Sequence, residues 1–423
     1  MEIKGKSVTI IGAGRSGQAA ARLVATLEGR VKVSESVTLH QVDPSFQKWL
    51  QENDGALESG GHTQVFIEES DLVVVSPGVR RDAECLRWAE AKGIPVIGEV
   101  ELAAQFCPCP IIAVTGSNGK TTVVTLITAV LRLAGRAVHS CGNIGNPFSD
   151  YVLKAKKEDF VVLEVSSFQM ETVKEFRPHV GVLLNFSQNH LDRHADLDEY
   201  FDMKKRIFAR QTEEDHAVLN KDDERIRGLA DELGAQVTFF SQKEECGAAQ
   251  TAAHNANFLV VTRVAGLLGI GPDACKEVFA QFQGVEHRLE KVRTFKGVDY
   301  INDSKSTTGE SGRWALNNVQ RPAIMICGGR DKNIDFSSLK EIVEKKVKRM
   351  IVIGEAREKL KETFQSVVEV EECDQLKEAV QRSQQLVQDG DCVLFSPMCA
   401  SFDMFRNYEE RGRAFKKIVQ QLN

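Results

Sequence analysis

The feature that most constrains this chain is an apolar run, Ile111-Ile112-Ala113-Val114, that leads into Thr115-Gly116-Ser117-Asn118-Gly119-Lys120-Thr121-Thr122 and then into the helix-forming residues Val123 to Leu133. A strand that ends in a glycine loop at a helix N-terminus makes a cradle of backbone N–H groups for phosphate, and it needs a parallel α/β sheet around it. The loop departs from strict G-x-x-x-x-G-K-[ST] only at its first position, where Val114 stands in place of glycine. The end that handles the β- and γ-phosphates is complete. Lys120 is placed to neutralise their charge and the Thr121 hydroxyl to ligate Mg2+. Such a site needs a carboxylate at the end of a neighbouring strand, and Glu164 directly follows the apolar run Phe160 to Leu163. The next apolar run, Val180 to Leu184, opens into NFSQNHLDRH, in which His190 is the candidate metal ligand or phosphate contact.

A second glycine turn, Gly12-Ala13-Gly14-Arg15-Ser16-Gly17, follows the run Val8 to Ile11 and matches G-x-G-x-x-G, with Glu35 near the end of the next strand-like run. Taken alone it reads as a dinucleotide fingerprint. Its physics is more general, because glycines admit the backbone close to any diphosphate and the helix N-terminus favours negative charge. A hydride-transfer enzyme has no use for a phosphate-loop lysine. Two glycine sites in succession therefore point to an enzyme that brings ATP to a second, diphosphate-bearing substrate.

A chain of 423 residues is too long for a single core. Short β-branched runs alternate with helical-period segments throughout, so the fold class is α/β, in three domains expected at 1–94, 95–284 and 285–423. The third block is read from Val298 to Ile301, Ala323 to Cys327, Met350 to Ile353 and Cys392 to Phe395, closing on an amphipathic helix from about Asn407 to Leu422. The basic run Lys345-Lys346-Val347-Lys348-Arg349 is read as a solvated helix end. With 54 Lys and Arg against 60 Asp and Glu there is no broad basic surface, and nucleic acid is not expected as a partner. No apolar run is long enough to span a bilayer and the N-terminus carries no signal-like apolar region, so a cytoplasmic protein with no membrane partner is expected. The 10 cysteines show no CxxC pair. Reduced, packed thiols are expected, including Cys107 and Cys109 in C-P-C and Cys399 in FSPMCASFD.

Eight blocks then follow in order: TGSNGKTT, LEVSSFQ, NHLDRH, HNAN, EHRLE, NDSKST, GGRDK and SPMCASFDMFRNYEERG. Together they resemble the Mur ligase family along essentially the whole chain, and within it the branch that adds D-glutamate. The resemblance implies an N-terminal Rossmann-like domain for a UDP-sugar, a central P-loop ATPase-like domain for ATP, and a C-terminal Rossmann-like domain for the amino acid. It implies an ATP-dependent amide ligase that joins D-glutamate to UDP-N-acetylmuramoyl-L-alanine in peptidoglycan precursor synthesis, acting as a monomer. Another ligase of the Mur or folylpolyglutamate type, with a different amino acid or acceptor, is the alternative. No D-N-P-R motif of the diaminopimelate-adding relatives is present, which favours D-glutamate.

The site residues implied by the resemblance match as follows. Gly14, Arg15, Ser16, Gly17, Glu35 and Gly78, the last in Ser76-Pro77-Gly78, match UDP-substrate positions, and Asn143 matches a contact to substrate and phosphate. Gly116, Ser117, Asn118, Gly119, Lys120, Thr121 and Thr122 match the ATP loop, with Asn255, Arg288, Asp303 and Lys305 as further ATP positions. Two Mg2+ ions are implied, Thr121 and Glu164 matching ligands of the first and His190 a ligand of the second. Lys204 matches a lysine that is carbamylated to N6-carboxylysine, which turns a cation into an anion able to bind metal; Lys205 beside it leaves the register open by one. Lys120, Asn143, His190 and Lys204 are thus the implied catalytic set. Lys305, Thr307, Lys332, Ser401, Phe402 and Tyr408 match the D-glutamate pocket, with Lys332 for the side-chain carboxylate. The chain departs from the family at a short stretch from Ser241 to His254 and at Asn257, one position early in its H-N-x-x-N box. It also departs at Asn189, Thr308 and Met398, where Asp, Asn and Ala are usual.

Overall fold

The computed structural model describes residues 1–187, 193, 196–241, 243–244, 252–282, 284–331 and 334–422, the side chains of 252–254 excepted. The chain divides into two compact units, Met1–Phe282 and Gln283–Asn423. The class is mixed α/β with parallel sheets, as the alternating pattern predicts.

The first unit holds two sheets. Strands β1 (Ser7–Ile11), β2 (Arg30–Glu35), β3 (Ala56–Ser59), β4 (Leu72–Val75) and β5 (Val96–Gly98) form one in the order β3-β2-β1-β4-β5, every pairing parallel. β5 lies beyond residue 94 and pairs with β4 through Val73 and Val96, so this sheet runs to Gly98. Strands β6 (Ile111–Thr115), β7 (Val138–Gly142), β8 (Phe160–Glu164), β9 (Val180–Leu183), β10 (His216–Asn220) and β11 (Gln236–Phe240) form the second, in the order β11-β10-β9-β6-β8-β7 and again all parallel. β1 and β6 are buried at every position, as a strand must be when helices cover both faces of its sheet. Each also lies between strands that continue the chain in opposite directions, the place where an open parallel sheet leaves a crevice at its carboxyl edge. Both glycine loops leave from these two strands.

The two sheets share an apolar core that includes Val8, Ile10, Val24 and Phe46 with Leu102, Phe148, Leu163 and Phe176. The helix Glu99–Ala104 links them. Its buried Glu101 carboxylate accepts the N–H groups of Lys174, Glu175 and Phe176 and the Gln105 side-chain amide at 2.9 to 3.0 Å, so four donors satisfy it.

The second unit is one six-stranded sheet of β12 (Glu290–Phe295), β13 (Val298–Asn302), β14 (Ala323–Gly328), β15 (Val347–Ile353), β16 (Glu369–Glu372) and β17 (Cys392–Phe395), ordered β12-β13-β17-β14-β15-β16. β12 is its one antiparallel strand. Alternate residues of β14 enter opposite layers, Met325 with Leu316 and Val343, Ile324 and Ile326 with Phe415 and Val380. The basic run 345–349 is only half a helix end. Lys345 and Lys346 close the helix Lys340–Lys346, whereas Val347, Lys348 and Arg349 begin β15, where Lys348 pairs with Asp391 at 2.6 Å. The closing helix is Tyr408–Gln420, started by the Asn407 side chain, which accepts the Glu410 N–H at 2.7 Å. Among the described residues no helix is long and apolar enough to cross a membrane.

Candidate active site

The glycine turn after β1 is shaped by close approach. Gly12 has φ +95°, and a Cβ on Gly17 would lie 1.8 Å from the Gly12 carbonyl oxygen, so the helix Arg15–Thr26 can start here only with glycine at that position. Gly14 precedes that helix, and no side chain caps the helix start. From the end of β2, Glu35 accepts the Ala13 N–H at 2.5 Å, the Ser36 hydroxyl at 3.0 Å and the Val37 N–H at 3.2 Å. Burial pushes the Glu35 carboxyl up, but these donors outweigh it and hold the group below the usual glutamate range. Ser76 Oγ donates to Gly12 O at 3.3 Å and brings the Ser76-Pro77-Gly78 loop alongside. The result is a cleft of about 630 Å³ lined by Gly12, Gly14, Arg15, Ser16 and Glu35, and by Ser76 to Val79. Its opposite wall is Gly142 at the end of β7, Asn143, Gly145 and Pro147 in the loop that follows, and Gln169 in the helix Ser167–Met170, and Arg15 donates to the Gly145 carbonyl across it.

Asn143 belongs to two places at once. It lines this cleft, while its N–H donates to Glu164 O and its Nδ2 to Glu164 Oε1, both at 2.9 Å. Glu164 is buried at the end of β8, in register with Val114, the residue that opens the second glycine loop. Its other oxygen, Oε2, is buried without a hydrogen-bond partner. An orphaned carboxylate oxygen in the interior is costly unless a cation completes it.

The second loop adopts positive φ at Gly116 (+149°) and Gly119 (+84°). Asn185, at the mouth of β9, braces it: its Oδ1 accepts the N–H groups of Ser117 and Asn118 at 3.1 and 2.9 Å, and its Nδ2 donates to Asn118 O at 3.1 Å. Lys120 Nζ donates to Gly116 O at 2.8 Å and Ser117 O at 3.0 Å, folded over the loop it guards. Thr121 and Thr122 begin the helix Lys120–Leu133 and are buried.

Lys204 comes to the same loop from the helix Leu197–Lys205. It is 2% exposed, its Nζ donates to Gly116 O at 2.9 Å and stands 4.6 Å from the centre of the Tyr200 ring. Burial, and after it the charge of Lys120, hold its ammonium well below the ordinary lysine range. Lys205 instead faces outward and pairs with Glu232. Of the two neighbouring lysines it is thus Lys204 whose amine lies at the loop.

In the asparagine box it is Asn257 that faces the loop, since a Cβ on Gly119 would lie 2.9 Å from Asn257 Oδ1. Asn255 Nδ2 donates to Glu244 O at 2.5 Å. Asn257, which the sequence reading treated as a departure from the box, thus stands at the phosphate loop. His190 lies outside the described residues, as do Asn189 and Lys332.

In the second unit, Asp303 is buried, its Oδ2 accepting the Ser396 hydroxyl at 2.9 Å and its Oδ1 the Leu289 N–H at 3.2 Å. Burial raises its carboxyl to about 7 against the pull of Ser396 and of Arg288. Arg288 Nε is buried and has no hydrogen-bond partner. Lys305 Nζ stands 5.7 Å from the centre of the Tyr408 ring, and Thr307 is half-buried two residues on. Ser401 is buried, and Phe402 beside it is 58% exposed. The sequence reading missed the residue that ties these together. Arg411 is wholly buried and donates to Cys399 O at 3.0 Å, Ser304 O at 2.8 Å and Ser304 Oγ at 3.1 Å, so one guanidinium joins the segments carrying Lys305 and Ser401. The neighbouring glycine was a signal: a Cβ on Gly412 would lie 2.2 Å from His287 Nδ1.

Comparison with known proteins agrees with this arrangement. The chain matches the Mur ligase MurD-like N-terminal domain over residues 6–98, the Mur ligase middle domain over 114–266 and the Mur ligase glutamate ligase domain over 287–399. It is 38% identical to the UDP-N-acetylmuramoylalanine--D-glutamate ligase of Caldanaerobacter subterraneus, with both chains covered in full. It is 39% identical to the enzyme of that name from Chlorobaculum parvum over 99% of this chain and 98% of that one. Among solved structures it resembles the UDP-N-acetylmuramate-alanine ligase MurC of Thermotoga maritima (TM-score 0.60, 17% identity, 98% and 99% covered). It also resembles the MurF ligase of the same organism in complex with ADP (TM-score 0.61, 17% identity, 93% and 96% covered). At these identities the two structures speak for the fold alone, whereas the full-length relatives and the three matched domains settle descent: the chain belongs to the Mur ligase family.

Proposed function

We propose that this protein is an ATP-dependent amide ligase that adds D-glutamate to UDP-N-acetylmuramoyl-L-alanine in peptidoglycan precursor synthesis. The observation that carries the reading is Asn143, which lines the cleft of the first glycine turn and is bonded to both the backbone carbonyl and the carboxylate of Glu164 beside the second. A diphosphate-bearing substrate and a phosphate donor would meet at that residue.

The chemistry explains why both are required. A carboxylate is a poor electrophile because oxide does not leave, so the L-alanyl carboxylate first attacks the γ-phosphorus of ATP; a P–O bond to the carboxylate forms and the bond to ADP breaks. The amine of D-glutamate then attacks the acyl carbon, the C–O bond to phosphate breaks, and the nitrogen loses a proton. In this reading Lys120 offsets the charge on the transferring phosphoryl group, and Asn143 orients the substrate beside it. Gly14 to Gly17, Glu35 and Gly78 hold the UDP-sugar. Arg288, Asp303 and Lys305 serve ATP, with Asn257 added to Asn255 at the nucleotide. Thr307, Lys332, Ser401, Phe402 and Tyr408, with Lys305, take D-glutamate.

The donors fit Mg2+. Glu164 and Thr121 offer hard oxygens, one of them a buried carboxylate oxygen lacking a partner, and these would hold one ion, with His190 and carbamylated Lys204 at a second. Bound there, the ions would offset the negative charge of ATP and the attacking carboxylate. Carbamylation suits Lys204 because a buried amine held below its ordinary range has the neutral lone pair that attacks CO2.

We assign Rossmann-like folds to the outer domains and a P-loop ATPase-like fold to the central one, with boundaries near 94 and 284, the first carried to Gly98 where β5 ends. A cytoplasmic monomer accords with this role. The test is ADP formation across a panel of acceptors and amino acids. ADP should form only when UDP-N-acetylmuramoyl-L-alanine and D-glutamate are both present; turnover with a folate or with a dipeptide-bearing sugar instead would overturn the assignment.

A further inference from the structure

We propose that Cys107 and Cys109 are a modification site: a dithiol that closes to a reversible disulfide in the segment between the helix Glu99–Ala104 and β6. The two sulfur atoms lie 3.7 Å apart, in van der Waals contact, and Cys107 Sγ is 3.5 Å from the Cys109 carbonyl oxygen. A disulfide needs about 2.05 Å between sulfurs and Cβ atoms within about 4.5 Å, a short step for two thiols already side by side across a single exposed proline, Pro108. Of the cysteines among the described residues, Cys107 alone is not buried. An oxidant in solvent therefore reaches this thiol before the others.

A metal reading fails on ligand number. Among the described residues the only group of three or more His, Cys, Asp or Glu side chains near enough to share an ion is Glu286, His287 and Glu290, in the other unit. Among the described residues the dithiol belongs to no such group, and structural zinc takes four ligands. The pair is also ordered chemically. A hydrogen bond from the Cys109 thiol, set against burial, holds Cys107 below the ordinary thiol range, and the thiolate is the reactive form.

With hydrogen peroxide as oxidant the reaction balances. The Cys107 thiolate attacks one peroxide oxygen, the O–O bond breaks, and the departing hydroxide takes up the proton that Cys107 released; Cys107 is then a sulfenic acid. Cys109 sulfur attacks Cys107 sulfur, the S–O bond breaks, and the oxygen leaves as water with the Cys109 proton. Two thiols are oxidised by two electrons and one peroxide is reduced to two waters. A dithiol reductant reverses the change by thiol–disulfide exchange.

The test uses the full chain, treated with hydrogen peroxide, alkylated under denaturing conditions and digested with trypsin. The tryptic peptide 93–120 contains Cys107 and Cys109 and no other cysteine. The expected result is loss of both alkyl groups from it and a mass lower by two hydrogens, with both groups regained after dithiothreitol. In Cys107→Ser, Cys109 should remain alkylated after the same treatment. Three results would overturn the proposal: both cysteines fully alkylated at a peroxide dose that oxidises glutathione in the same tube, Cys107 as sulfinic acid with Cys109 alkylated, or Cys107 joined to Cys141. The parent chain decides the matter even where the variant does not fold.

Discussion

The two glycine loops of the first unit are built alike and charged differently. Each leaves a buried strand at the centre of a parallel sheet and enters a helix, and each uses positive φ at a glycine to make the turn. The turn at Gly12 faces a carboxylate, Glu35, that holds the Ala13 N–H, and Arg15 at its helix start reaches across the cleft to Gly145. At Gly116, by contrast, two lysines converge on one carbonyl oxygen, and a carboxylate with an unpartnered oxygen stands one strand away. A diphosphate that is only held needs N–H groups and shape. A phosphoryl group that moves needs concentrated, adjustable charge. In the proposed reaction the difference gives holding to the first loop and chemistry to the second.

That contrast breaks most visibly at the lysines. Lys120→Ala should lower kcat by about a thousandfold, the scale of losing a preorganised charge contact to the transition state, while Arg15→Ala should raise KM for the UDP-sugar with kcat nearly unchanged. Steady-state kinetics on both variants checks it, and the reverse pattern would exchange the roles of the loops. Next in size, Lys204→Ala should lower turnover by about a hundredfold and regain part of it with an added short carboxylic acid, whereas Lys205→Ala, which loses only a surface ion pair, should match the parent. A Lys204→Ala enzyme as active as the parent would remove the carbamate from the account.

Smaller effects sharpen the first loop. Gly17→Ala forces a Cβ into the Gly12 carbonyl and should cost about 1–3 kcal/mol of stability by denaturant unfolding. Gly14→Ala meets nothing within 4 Å and should cost under about 0.5 kcal/mol. Equal costs would mean that the turn relaxes and that Gly17 is not required by packing. Smallest, Glu35→Gln keeps an acceptor but loses its charge, and should raise KM for the UDP-sugar about fivefold, the worth of roughly one hydrogen bond. A fall in kcat alone would place Glu35 in the chemistry instead.

What the sequence made legible is what a short segment determines by itself. The phosphate loop, its strand and helix, and Glu164 at the end of β8 are all local patterns, and they stand where the apolar runs put them. Choices between neighbours were not legible. Lys204 and Lys205 are equally good helix residues, and only the Gly116 loop packed on one face distinguishes them. Asn255 and Asn257 differ in the same way. Strand β12, Glu-Lys-Val-Arg-Thr-Phe, lies at a sheet edge and needs no apolar run, and the Lys348-Arg349 start of β15 is hidden because one of its charges is matched by distant Asp391. Arg411 was the hardest to see. A buried guanidinium is intelligible only through the carbonyls it satisfies, and those come from Cys399 and from Ser304, more than a hundred residues before it in the chain.

The central claim is that the second loop passes a phosphoryl group to a carboxylate held at the first. It is tested most directly by labelling the L-alanyl carboxylate of UDP-N-acetylmuramoyl-L-alanine with heavy oxygen and weighing the inorganic phosphate released in the presence of ATP and D-glutamate. An acyl phosphate places one substrate oxygen in each phosphate, so the account predicts label in the phosphate in step with the label in the carboxylate. Phosphate without label, released while the amide forms, would contradict it.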